Sequence, residues 1–211
     1  MMKKWLVGVL LMAAMAMPAF AEIADPDVLI KETVKEVLAV VKQDKDIREG
    51  NKKKIIALVD AKVLPHFDFT RMTRLAVGRA WRTATPEQQQ MLVTELRNLM
   101  VRTYTNAFTV YRDQTVEVKP FKLPPGATDV TVKTNIVQPG AQPITVDYDM
   151  EKTDAGWMVY DVTVEGVSFI GTHRGTFAEK VQQVGIDGLI KSLIEMNQAA
   201  ATAPAKKATA K

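Results

Sequence analysis

The stretch Asp129 to Val164, DVTVKTNIVQPGAQPITVDYDMEKTDAGWMVYDVTV, decides the fold. Val130, Val132, Thr134 and Ile136 recur at every second position. So do Ile144, Val146, Tyr148 and Met150, and then Met158, Tyr160, Val162 and Val164. Successive side chains of a strand point to opposite faces, so this period of two predicts strands that each carry one apolar face. Val116 and Val118 add a shorter strand before them. Pro124-Pro125-Gly126, Pro139-Gly140 and Asp154-Ala155-Gly156 punctuate the series. Connections this short favour an antiparallel meander over parallel crossover units.

On both sides of the sheet the apolar period lengthens to that of a helix. Thr85, Pro86 and Gln88 occupy the N-cap, N1 and N3 positions of a capping box. The helix they open is predicted to reach about Tyr111, with Met91, Leu92, Leu96, Leu99, Met100, Tyr104 and Phe108 as a wide apolar stripe. Before it, Asp68 or Thr70 caps a short helix through Met72, Leu75, Ala76 and Arg79, ended by a bend near Arg82 to Ala84. Trp81 at that bend is expected to anchor the packing of the two helices, with a place at the mouth of a pocket as the alternative. Asn51 caps a helix bearing Ile55, Ile56, Val59, Val63 and Leu64, which Pro65 stops. Asp25-Pro26 opens the first helix, whose Ile30, Val34, Val37, Leu38 and Val41 form one face before it fades between Asp44 and Gly50. Beyond Gly166, Val167 to Ile170 read as a short strand extension. A helix from about Thr176 and a last one from about Asp187 to Asn197 follow, jointed at Gly185 and Gly188. Helices from both ends of the chain are thus available to cover one face of an antiparallel sheet of about four strands, which predicts a single α+β domain.

The ends of the chain carry a different message. Residues 1–21, MMKKWLVGVLLMAAMAMPAFA, combine Lys3 and Lys4, an apolar core from Trp5 to Met17, and the small-x-small site Ala19-Phe20-Ala21. This is the pattern of a secretory signal peptide cleaved near Ala21, which implies export into the bacterial cell envelope. The mature domain is expected over 22–200, and the Ala/Thr/Lys-rich residues 201–211 as a disordered tail. The net charge of +4 resides in these ends. Five lysines lie in them, which leaves 23 basic against 24 acidic side chains and a body near −1. No concentrated basic surface remains for a nucleic acid.

Enzymatic chemistry finds little support in the residues. Cys is absent, and His66 and His173 are the only histidines, so a metal site would rest on two distant imidazoles and carboxylates. Ser168, His173 and Asp161 contain the residue types of a nucleophilic triad, but Ser168 sits in VEGVSFIG without a nucleophile elbow. Asp161 faces water or makes a buried hydrogen bond. Asp147, Asp149 and Glu151 share one side of their strand, as on a solvated sheet face. The glycines are scattered and form no phosphate-binding loop. The positive signal is an excess of apolar faces, which either fill one another or line a pocket between sheet and helices.

Two blocks then point to a family. PHFDFTRMTRLAVGRAW with TPEQQQ, and GWMVYDVTVEGVSFIGTHRGTFAEKVQQVGIDGLIKSL from Gly156 to Leu193, resemble the MlaC or toluene-tolerance auxiliary family of periplasmic phospholipid carriers. The resemblance implies a strongly curved sheet in a nuclear-transport-factor-like cone enclosing a lipid cavity. It also implies a non-catalytic monomer that needs no cofactor and holds phospholipid as cargo. The implied partners are an inner-membrane MCE-domain/ABC transporter complex and an outer-membrane lipoprotein–porin complex, and the implied outcome is maintained outer-membrane lipid asymmetry. Thr172-His173-Arg174 departs from the family's Asn-Tyr-Arg at that place but keeps the arginine.

Under this resemblance the candidate lining is Phe69, Met72, Leu75, Leu99, Tyr104, Phe108, Val132, Ile136, Val146, Tyr148, Val162, Val164 and Phe169. Arg82 and Arg174 are candidates for the head-group phosphate, because guanidinium forks match its oxygens. Two acyl chains carry roughly 30 methylenes, whose exposure to water would cost about 24 kcal/mol, so a lipid crossing an aqueous gap requires an apolar host. An envelope hydrolase or isomerase on the same fold, and a scaffold with a filled core, are the alternative readings.

Overall fold

A computed structural model describes the backbone of residues 24–108 and 114–202, and the side chains of 24–105 and 114–199. The predicted signal peptide lies outside the described residues, as does the tail except Ala201 and Thr202, whose backbone closes the last helix.

The chain runs α1 (Pro26–Gln43), α2 (Lys45–Arg48), α3 (Lys52–Lys62), α4 (Phe69–Val77) and α5 (Pro86–Phe108) before the sheet. Strands β1 (Thr115–Val118), β2 (Asp129–Val137), β3 (Ile144–Thr153), β4 (Gly156–Val164) and β5 (Val167–Ser168) follow, and α6 (Phe169–Thr202) ends the fold. The sheet is an open, curved antiparallel meander in the order β1-β2-β3-β4-β5. It has five strands instead of about four, because Val167 pairs with Val164 and Ser168 with Thr163.

Local chemistry sets the helix ends. Asp44 accepts from the backbone N–H of Asp46 and Ile47, which turns the expected fading of α1 into the one-turn α2. Asn51 caps α3 through the Lys54 N–H, and Asp68, not Thr70, caps α4 through the Arg71 N–H at 2.8 Å. Thr85 and Gln88 exchange both bonds of the capping box at 3.2 and 3.0 Å. The last helix starts at Phe169, not near Thr176. Ser168 Oγ accepts from the Gly171 N–H and Asp161 from the Ile170 N–H, so two first-turn donors are satisfied by side chains that periodicity does not reveal. Phe169 and Ile170 are therefore helical and not a strand extension. The expected joint is present at Gly185, which adopts φ 73° and ψ −177° within α6.

Two apolar clusters form. The larger packs Met72, Ala76, Leu92, Leu96, Val132, Met150, Val159, Phe177, Leu189 and others of α4, α5 and α6 against the inner sheet face. The smaller joins α1, α2 and α3 around Val41 and Ile55. Phe69 packs against both, and so links them.

Candidate functional site

The inner face of the sheet is built by register. Val132 pairs with Tyr148, Tyr148 with Val162, and Val146 with Val164, so these candidate residues fall side by side. One departure interrupts β4. Met150 pairs with Val159 and Asp149 with Asp161, which leaves Tyr160 as the extra residue of a β-bulge. The four-residue alternation Met158, Tyr160, Val162, Val164 is therefore broken. Val159 joins Val162 and Val164 on the inner face, while Tyr160 turns outward and donates its hydroxyl to Asp129 at 2.8 Å.

All apolar candidates with a described side chain belong to, or pack against, the larger cluster. Met72, Val132, Val146, Val162 and Phe169 are buried within it. Phe69, Leu75, Leu99, Tyr104, Ile136, Tyr148 and Val164 are partly buried and lie against it. The Phe108 side chain lies outside the described residues. Along the inward positions of β3, Met150 is 0% exposed, Tyr148 is partly buried, Val146 is 6% exposed and Ile144, next to the β2–β3 turn, is 42% exposed.

A row of aromatic rings joins α5 to α6. The rings of Tyr104 and Phe169 lie 6.1 Å apart, those of Phe169 and His173 4.8 Å, and those of His173 and Phe177 5.3 Å. Burial pushes the His173 imidazole down, which favours its neutral form among these rings. Burial pushes the Tyr148 hydroxyl up, and burial with the Asp161 charge does the same for Tyr104, so both phenols stay neutral. This row of side chains is apolar with a few uncharged polar tips.

Arg82 and Arg174 are exposed, and neither makes an ion pair with a described residue. Trp81 packs against the larger cluster while its carbonyl accepts from Gln89 Nε2 at 3.0 Å, as an anchor for α4 and α5 does. Phe121 and Leu123 also reach this cluster from the irregular β1–β2 connection, where no periodicity marks them.

The residues of the imagined triad have other duties. Asp161 is buried and accepts from the N–H groups of Val162 and Ile170 and from Ser168 Oγ. Ser168 caps α6, and His173 meets two phenylalanine rings. On the outer sheet face Lys133 pairs with Asp147 at 2.6 Å, and Thr131 donates to Asp149 at 2.6 Å. Among the described residues no group of His, Asp or Glu is placed to hold a metal ion.

Residues 31–195 match the family model of the MlaC protein. The chain belongs to the MlaC family. Toluene tolerance protein ttg2D of Pseudomonas putida is 25% identical over 188 residues, covering 86% of this chain and 87% of that protein. The intermembrane phospholipid transport system binding protein MlaC of Haemophilus influenzae is 23% identical over 198 residues, covering 91% and 92%. Among solved structures, a phospholipid-binding protein from Ralstonia solanacearum in complex with a phospholipid superposes with a TM-score of 0.80 at 40% identity. The match spans 85% of this MlaC-family chain and all of the Ralstonia one.

Proposed function

We propose that the mature chain binds a diacyl phospholipid between its inner sheet face and α4, α5 and α6, and carries it across the periplasm. The observation that carries this is the Ralstonia neighbour, a phospholipid complex that matches this chain at 40% identity with a TM-score of 0.80. In support, the face that would meet acyl chains is apolar, and seven of the candidates on it keep partial exposure. The acyl chains lie along Phe69, Met72, Leu75, Leu99, Tyr104 and Phe169 of the helices and along Val132, Ile136, Val146, Tyr148, Val162 and Val164 of the sheet. The head group stays near solvent, where the exposed guanidinium groups of Arg82 and Arg174, which form no ion pair with a described residue, meet its phosphate.

Export through cleavage near Ala21 delivers a monomer to the periplasm. Lipid then passes between an inner-membrane MCE-domain/ABC transporter complex and an outer-membrane lipoprotein–porin complex, which maintains outer-membrane lipid asymmetry. Transfer runs between two apolar environments, so its net free energy stays small although the gross cost of exposing the chains is large. The carrier makes and breaks no covalent bond in this scheme.

Native mass spectrometry of the mature protein, followed by organic extraction, checks the proposal. A phospholipid adduct near one per chain is expected. Protein that neither retains lipid on purification nor acquires it from vesicles would refute it.

A further inference from the structure

The outer sheet face holds one charged cluster that lipid binding leaves unexplained. Arg71 of α4 forms an ion pair with Glu151 of β3 and another, at 2.9 Å, with Asp129 of β2. Its guanidinium lies 3.6 Å above the centre of the Tyr160 ring of β4, and the Tyr160 hydroxyl closes the cluster on Asp129. A single side chain of α4 therefore contacts three strands. The Arg71 side chain is 19% exposed and that of Glu151 23%, so this pair is more shielded than an ordinary surface pair, whereas Asp129 is 51% exposed.

Two features of the backbone serve this arrangement. Phe67 forms a parallel bridge with Val159, and the Asp68 N–H donates to the Val159 carbonyl at 2.9 Å, which seats the start of α4 on the free edge of β4. One residue on, the bulge turns Tyr160 away from the inner face and toward Arg71. Without the extra residue, alternation would put the phenol on the lipid-facing side and leave the guanidinium without its platform. On α4 itself, Arg71 stands next to Met72 and one turn before Leu75, both candidates for acyl contact.

We infer that Arg71 is a positioning residue for lipid retention. It clamps α4 to β2, β3 and β4 from the outer face, and thereby fixes the seat of the helix that carries the partly buried candidate Leu75. The clamp touches no lipid and acts on the release rate through the seat of α4. This inference rests on the phospholipid-binding reading.

The test uses the full mature protein loaded with a fluorescent phosphatidylglycerol and mixed with acceptor vesicles of phosphatidylcholine. Three properties are followed at 25 °C for wild type, Arg71→Gln, Arg71→Lys and Tyr160→Phe: lipid bound per chain, release rate, and hydrogen exchange of the α4 amides relative to those of α5. Arg71→Gln is expected to load fully but release about tenfold faster, a change of about 1.4 kcal/mol in retention, with faster exchange confined to α4. Arg71→Lys, which keeps the charge without the planar fork, should recover part of the retention. Tyr160→Phe should fall between wild type and Arg71→Gln. Unchanged release in the variants, even with a lowered melting temperature, overturns the clamp while leaving phospholipid binding intact. A wild type that takes up no phosphatidylglycerol or other phospholipid overturns both. If Arg71→Gln does not fold, the release rates of the other two variants decide.

Discussion

Asp161 shows how strongly one residue's role depends on what covers it. Its neighbours in sequence alternate as a strand's do, yet the carboxylate is 8% exposed because α6 begins directly above it. There it accepts two backbone N–H groups and the Ser168 hydroxyl, and so ties β4 to the first turn of α6. Removing it strands those donors in the protein interior, where each unsatisfied group is costly. Asp161→Ala is expected to lower the unfolding free energy by about 2–4 kcal/mol, measured by urea denaturation. Ser168→Ala should cost about 1 kcal/mol, the usual value of an N-cap. If Asp161→Ala unfolds at the wild-type urea concentration, the tie between strand and helix is not structural. Candidate residues on the sheet were legible because period two distinguishes inward from outward positions. Which inward positions are core and which keep exposure was not legible, since Met150 and Ile144 obey the same alternation at 0% and 42% exposure.

At the scale of elements, α6 is two helical segments with a built-in break. Gly185 takes a positive φ that an L side chain rarely adopts, and the break crowds Val184 against Gly188. A Cβ placed on Gly188 would stand 2.5 Å from Val184 Cβ and 2.3 Å from its Cγ2. A new rotamer can move Cγ2 but not Cβ, so the backbone itself must shift. Gly188→Ala is expected to destabilise the protein by about 1–3 kcal/mol, read as a lowered melting temperature. Adding Val184→Ala should restore little, because alanine keeps the offending Cβ, whereas Val184→Gly should relieve the contact. Full recovery with Val184→Ala would mean that only the rotamer was at fault. The sequence marks this joint with two glycines, but the early start of α6 depends on Asp161 and Ser168 meeting its first turn.

For the whole molecule, cargo and stability are linked. A phospholipid that binds the folded chain and not the unfolded one stabilises it by mass action, about 2.7 kcal/mol when free ligand stands at a hundred times Kd. Protein stripped of lipid by reverse-phase chromatography and refolded is therefore expected to melt several degrees below the lipid-loaded form, and added phospholipid should restore the difference. Equal melting temperatures, with lipid occupancy verified in each sample, would show that the inner face gains nothing from being filled. The acyl chains supply the larger part of the gross binding term, so most of this response should persist at high salt, with only the arginine–phosphate part screened.

The sequence by itself determined the order of the main helices and strands apart from α2 and the start of α6, the helix caps at Asn51 and Thr85, the antiparallel meander and the apolar side of each strand away from the bulge. These are local properties: the period of apolar residues and the chemistry of a cap are written within a few positions of chain. The two quoted blocks also carried the family. Only the tertiary structure decided the bulge at Tyr160, the burial of Asp161, the early start of α6 and the outer-face cluster around Arg71. Arg71 lies 58 residues from Asp129 and 80 from Glu151. No periodicity relates such positions, because their meeting depends on how the chain closes α4 onto the edge of the sheet.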